Sequence, residues 1–482
     1  MPSPDDPADL ELPPDRMRAM GRAVLDRLID HIASLDDQLA CGDVHAEELC
    51  RAMREPPPEH STALDGLLEP LFRDWIPRSF NAASPGYLAY IPGGGLFPAA
   101  LADLIADGVN RYTGVWRAAP ALVQLEANAL DWLRDWMGFP ATTRGLFTTG
   151  GSMATFNAVL CARERLLGPD LRAGVLYTSD QAHSSVAKSA RLAGILPDRV
   201  RTVPVDAHFR MRVDALVAAI EADRRAGLRP FLVVTTAGTT NTGAVDPLEA
   251  VADVCGREGL WHHVDGAYGA FFHLVEELRP LLAGLPRADS LTLVPHKGLF
   301  LPYGTGALLV RDGAALRAVH GFHAEYLPPG ADAEFYDPAQ HGPELSRGFP
   351  GLRVWLTIKL FGAARLRAAL AEKRELALLA AGALARVPGI AVVAPPQLSL
   401  LAFRLEPPGS TPSVRDAATR RLLERVNARG RVMLTGCTAG GRFLARLCVL
   451  SFRTRRRHVE AAVEQIGEEA AILTGTAQAA RG

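Results

Sequence analysis

From about residue 100 to 370, short apolar runs alternate with stretches of helical spacing, and this alternation constrains the fold most strongly. Gly145–Thr149 reads as strand and Ser152–Leu166 as helix. Val175–Ser179 reads as strand and Ser184–Leu192 as helix. Phe231–Ala237 is strand-like, Pro247–Arg257 helical and Leu260–Asp265 strand-like. Strands that each feed a helix build an α/β domain, with a largely parallel sheet covered by helices. The turns that follow such strands share one edge of the sheet, where α/β ligand sites form.

The flanks have other characters. Residues 1–14 read as a loose acidic, Pro-rich tail. From Asp15, Met17, Met20, Val24, Leu28, Ile32 and Leu35 fall at helical spacing, which predicts an amphipathic helix with one buried face. Residues 60–75 predict a further helix, and Gly/Pro-rich turns follow at Pro85-Gly86 and Pro92-Gly93-Gly94-Gly95. Beyond residue 370 come a long Ala/Leu/Arg helix and strands at Ile390–Ala394, Ser399–Leu405 and Phe443–Ser451. Arg421–Ala428 and His458–Leu473 read as helices. The expected division is 1–99 as an N-terminal helical segment, 100–370 as the large α/β domain and 371–482 as a small α+β domain.

Bulk properties exclude several classes. The formal net charge is −1, so no global field points to nucleic acid or an anionic membrane. No uninterrupted apolar run spans a bilayer, and the N-terminus lacks the pattern of a secretory signal. The six cysteines are scattered without a C-x-x-C pair, which suggests neither a zinc site nor a disulfide framework. A reduced, cytoplasmic protein is expected.

Basic residues are used unevenly. Only Lys188, Lys297, Lys359 and Lys373 are lysines among 52 basic residues. Lys297 follows an apolar strand-like run in Pro295-His296-Lys297-Gly298. A Lys amine can lose its proton and attack a carbonyl to form a Schiff base, which Arg cannot do. Alone, such a lysine is as well explained by chance. Four other turns give it company. Thr149-Gly150-Gly151-Ser152 joins a strand to a helix and suits phosphate, or is an ordinary Ser-capped turn. His183 precedes a helix and could cover a planar ligand, or act as a cap. Gly238-Thr239-Thr240 offers hydroxyls at a strand end, or is a structural loop. In His262-His263-Val264-Asp265 the adjacent histidines point to opposite faces and cannot easily share a metal ion. Asp265 needs a partner if buried, and a protonated pyridine nitrogen would serve. Together these are the parts that pyridoxal 5′-phosphate requires.

The order and spacing of Thr149–Thr155, Ser179–Ser185, Gly238–Thr240, His263–Tyr268 and Pro295–Lys297 resemble the group II pyridoxal-phosphate-dependent decarboxylases. The aromatic-L-amino-acid decarboxylases are the best-known members. Ser84–Pro92, Trp116–Glu126, Glu344–Arg347 and Asn427–Arg453 resemble the family too, so the likeness covers nearly the whole chain. It implies the aspartate aminotransferase-like fold (fold type I) and a homodimer with active sites at the interface. By the same pattern Lys297 carries the cofactor and Asp265 pairs with its ring nitrogen. His183 and Ala267 take its two ring faces, and Gly151 and Ser152 bind its phosphate. Thr240 and His296 fall at further cofactor positions. Tyr336, in a poorly matching loop at about 321–346, is the implied aid to protonation, with Tyr326 the other candidate. Tyr90, Pro92 and Trp116 fall at substrate-pocket positions.

Departures from the family pattern are Met153, Val294 and Gly298, which stand where Glu, Asn or Asp, and Trp are familiar. Ser346-Arg347-Gly348-Phe349-Pro350 is a reduced form of an Arg-rich run. They suggest a bacterial-type branch. The resemblance implies decarboxylation of an aromatic or large apolar L-amino acid to its amine. The alternatives are oxidative decarboxylation–deamination to an aldehyde, an aliphatic or acidic substrate, or a scaffold that has lost activity. No paired Arg for a second carboxylate is evident, and Lys297, Asp265 and His183 are all present.

Overall fold

The structure is a computed structural model, and it describes residues 10–42, 46–326 and 334–475. Seven strands form the large sheet: β1 (Arg144–Thr148), β2 (Gly174–Ser179), β3 (Val200–Val203), β4 (Arg229–Thr236), β5 (Trp261–Asp265), β6 (Ser290–Leu293) and β7 (Gly306–Val310). Their order is β1-β7-β6-β5-β4-β2-β3. Only β7 runs against its neighbours. The carboxyl ends of β1, β2, β4, β5 and β6 therefore meet on one rim.

Helices cover both faces, so strands are buried on both sides and read as unbroken apolar runs. β4 buries Phe231 through Thr236 without alternation, and all of β5 is buried. The helix Gly151–Leu166 packs Ala154, Ala158, Val159 and Ala162 onto one face. Val251, Val254 and Cys255 of Leu248–Glu258 pack with Val175, Tyr177 and Val233. The small residues on Gly151–Leu166 let that helix lie close to the strands.

A long helix, Pro350–Leu384, leads from the large sheet to the small one. It is interrupted at Gly362, whose φ of 71° only glycine adopts without strain. The small sheet is antiparallel, in the order β10 (Thr435–Ala439), β11 (Arg442–Cys448), β9 (Leu400–Leu405), β8 (Ile390–Ala394). Pro412–Ala428 and Arg456–Thr474 pack on it through Leu422, Val426, Val459 and Ile466.

Two N-terminal expectations change. The helix forms at Pro14–Ala33, but none of its residues is buried within one chain. Met17 and Val24 of the predicted face are 45% and 40% exposed, as is Ile29 at 45%, while Leu28 and Ile32 are half-buried and Leu35, just past the helix, is buried. The helix expected over 60–75 is Leu64–Pro70, followed by a wider turn at Leu71–Trp75 and a tight one at Ile76–Arg78. Pro70 has no N–H to continue the helical ladder. The predicted loose tail lies mostly outside the described residues.

Candidate active site

The rim turns converge on one cavity of about 300 Å³, lined by Thr149–Met153, His183, Ser185, Thr236, Gly238, Thr240, Asp265, Ala267, Tyr268, His296 and Lys297. Each lining segment leaves a strand end. After β1, Gly150 precedes the first turn of Gly151–Leu166, whose leading N–H groups have no helical partners. A Cβ on Gly151 would stand 3.1 Å from Val294 and 3.3 Å from Ala267. Gly151 thus keeps that wall thin, and Val294 fills the place of a polar family residue with a methyl group.

Asp265 ends β5 and is 5% exposed. Its recorded hydrogen bond comes from the Ala267 backbone N–H, at 3.1 Å. A buried carboxylate so lightly paired calls for a cation. Beneath it, the two histidines point apart as β geometry requires. His262 Nε2 lies 2.8 Å from the Thr235 hydroxyl, and His263 Nδ1 lies 2.8 Å from that of Ser290. Burial pushes both imidazoles down to about 3, so they are neutral. Among the described residues no cluster could hold a metal ion.

Lys297 sits in a single turn, Pro295–Gly298, after β6. Burial lowers the pKa of its amine, and the charge of Asp265 opposes that shift. The lysine is thereby moved toward the nucleophilic, neutral form. His296 accepts the Thr305 N–H at 3.3 Å, and burial holds its ring down to about 4. Gly298 stands where the family shows Trp. A Cβ there would meet the buried Phe271 ring at 2.6 Å, so Phe271 occupies that space from the next layer.

Two features were missed from the sequence. Thr236 ends β4, lines the cavity and buries its hydroxyl without a partner among the described residues. Its place at the end of an apolar strand was the available signal. Arg446, on β11, reaches across from the small sheet. Its guanidinium donates to Asn241 O at 2.9 Å, Thr435 Oγ1 at 2.8 Å and Tyr90 O at 3.1 Å, and also to Thr240 O. Nothing in the local sequence announces that reach.

The structure brings Lys297, Asp265, His183, Gly151, Ser152, Thr240, Ala267 and His296 together. It does not bring Tyr90, Pro92, Trp116 or Tyr336 to that cavity. Tyr90 is half exposed, at a positive φ of 52°. Pro92 is buried beside the Gly93–Gly94 turn that packs on Phe300 and Tyr303. Trp116 stacks on Phe335 with ring centroids 4.4 Å apart. Tyr336, implied as the aid to protonation, lies away from the Lys297 cavity of its own chain. It packs against His341, close to the buried Glu126–Arg347 ion pair, and lines a separate small cavity with Arg144. Tyr326 is exposed, and residues 327–333 between them lie outside the described residues.

The donor set suits pyridoxal phosphate. Asp265 awaits a cation, Thr236 a hydrogen-bond partner and the helix start an anion, all around one lysine. These traits define a lysine-carrying pyridoxal-phosphate enzyme of fold type I. Residues 55–406 match the pyridoxal-dependent decarboxylase conserved domain. The chain is 35% identical to an aromatic-L-amino-acid decarboxylase of Bacillus atrophaeus over 92% of this chain and 94% of that one. A solved structure of Oryza sativa TDC with PLP and tryptamine superposes with a TM-score of 0.93 at 30% identity, covering 97% of this chain and all of that one. The structure of Rhodiola rosea 4-hydroxyphenylacetaldehyde synthase gives 0.90 at 26% identity, over 97% of this chain and all of that one. The chain belongs to the pyridoxal-dependent decarboxylase family. It is a decarboxylase of amino acids, and its cofactor is pyridoxal 5′-phosphate.

Proposed function

We propose that the substrate is an aromatic L-amino acid, converted to its amine at the Lys297 cavity. The observation that carries the site assignment is the meeting of Lys297, Asp265 and His183 in one cavity. The Bacillus atrophaeus and Oryza sativa relatives support the aromatic class. In this reading Lys297 holds the cofactor's carbonyl carbon, Gly151 and Ser152 its phosphate and Asp265 its ring nitrogen. His183 and Ala267 take the ring faces, with Thr240 and His296 beside them. Bound pyridoxal phosphate supplies the sink for the electron pair left as CO2 departs. The chain supplies the rest. Lys297 offers an amine whose pKa burial lowers, and Asp265 would keep a proton on the nitrogen opposite it.

Beyond one chain, the reading is a homodimer. Exposed apolar side chains on two N-terminal helices support it, among them Met17, Val24 and Ile29 on Pro14–Ala33 and Leu104, Ile105 and Val109 on Phe97–Val109. Tyr90, Pro92 and Trp116 are assigned to the substrate side of the assembled site, and Tyr336 to protonation there. The three-part division at residues 99 and 370 stands as a proposal, with Pro350–Leu384 crossing the second boundary. A cytoplasmic location is proposed from six unpaired cysteines. Among the described residues no helix is long and apolar enough to cross a membrane.

The test is to offer purified protein each proteinogenic amino acid, DOPA and 5-hydroxytryptophan, and to score CO2, amine, aldehyde and peroxide. Amine from an aromatic substrate is expected. Aldehyde with peroxide would favour the second reading, which the Rhodiola rosea neighbour keeps in view. Turnover confined to aliphatic or acidic substrates would overturn the aromatic assignment.

A further inference from the structure

His183 is the last residue but one before the helix Ser185–Leu192. The start of that helix faces back onto its ring. The Ser185 backbone N–H points at His183 Nδ1 with a separation of 3.2 Å. The Ser185 hydroxyl oxygen lies 2.8 Å from the same nitrogen. A backbone N–H can only donate, so Nδ1 must present its lone pair. A nitrogen without a hydrogen has nothing to give the hydroxyl, so the hydroxyl donates as well. In a neutral imidazole the single proton then resides on Nε2.

We propose that Ser185 is a positioning residue: its hydroxyl and N–H together pin His183 in the Nε2–H tautomer, leaving that proton available to the cavity. Nε2 has no hydrogen-bond partner among the described residues. Burial keeps the ring neutral; the charge of Asp265 opposes that effect and the charge of Lys297 reinforces it. His183 therefore meets the site as a donor at Nε2. It can hold or pass on a proton there, but cannot take one until it has given one. Ser185 is itself buried and cannot exchange this bond for water. The hydroxyl reads the ring's orientation as well as its tautomer, because a flipped ring would set a carbon against both donors.

The inference rests on the assignment of the Lys297 cavity to the cofactor, and the test separates the two. Nitrogen-15 histidine labelling of the holoenzyme reports the tautomer of each ring directly. A His183→Asn difference spectrum picks its signals out from those of the 13 histidines. The wild type should show Nε2 protonated and Nδ1 bare at neutral pH, before and after cofactor removal. Ser185→Ala should broaden or split these signals and lower kcat about tenfold or more with KM little changed. Ser185→Thr, which keeps the hydroxyl, should restore both. A wild-type ring protonated at Nδ1 overturns the proposal, as does a Ser185→Ala protein with the wild-type spectrum and kcat. Failure of the cofactor assignment would look different. A Lys297→Ala protein would still form the reducible adduct, with the His183 tautomer unchanged.

Discussion

Lys297, on the rim of the large sheet, and Lys373, in the seam between the long helix and the small sheet, are both withdrawn from water. Their surroundings differ. Lys373 is 0% exposed and donates to Thr454 O at 2.6 Å, with Glu372 at 2.9 Å. Arg455 shares the same carboxylate at 2.6 Å. Burial lowers the pKa of both amines. At Lys373 a hydrogen-bonded carboxylate opposes that shift, whereas at Lys297 the opposition comes from the charges of Asp265 and, after it, Cys448, without a hydrogen bond to the amine among the described residues, and a cavity lies in front of it. The difference teaches what makes a buried lysine reactive. Withdrawal from water is common to both, and the open face belongs to one.

Exchanging the two roles experimentally would break the comparison. Lys297→Ala should lower turnover by at least about 10⁴-fold and abolish the borohydride-reducible adduct, with little change in melting temperature. A variant that keeps the adduct would remove Lys297 from the chemistry. Acid stability should next separate the regions. His262 and His263 have folded-state pKa values near 3, below the unfolded value of 6.5. The unfolded chain takes up these protons first, so stability is full above pH 6.5 and is lost as pH falls toward 3. Urea midpoints measured down that range should show the loss, and His262→Asn should flatten it. Asp265→Asn should cost about 10²-fold in turnover while moving the urea midpoint little. An unchanged rate would end its assignment to the ring nitrogen.

Smaller effects sharpen the other side. Lys373→Ala should keep the adduct and lose about 2 kcal/mol of stability, because Thr454 O is left without its donor. Denaturant curves together with borohydride reduction test both halves of that statement. Gly298→Ala should destabilise by about 1–3 kcal/mol through collision with Phe271. Phe271→Leu in the same chain should recover part of the loss.

The large sheet was legible in the sequence because a parallel strand buried on both faces must be a continuous apolar run. Phe231–Ala237 and Leu260–Asp265 stand within a residue or two of β4 and β5. β10 was not legible. Thr435-Gly436-Cys437-Thr438-Ala439 has neither an apolar run nor alternation, and its pairing with β11 makes it a strand. The rim residues were legible because each turn has its own chemistry and follows a readable strand. Tyr336 was not, since its position depends on packing near Glu126, some 200 residues earlier, that no local pattern records. The N-terminal helix was readable as a helix, but the face it buries could not be placed, because that face finds only partial cover among the described residues, most of it toward the C-terminal end.

Arg446 carries a consequence for how the molecule comes apart. One guanidinium on the small sheet holds oxygens of the 240–241 turn and the Tyr90 segment. Melting the C-terminal lobe would take this donor at once from three backbone oxygens outside that lobe, two of them in the turn beside the cofactor cavity. Calorimetry should therefore record one endotherm for both sheets, and Arg446→Met should divide it in two.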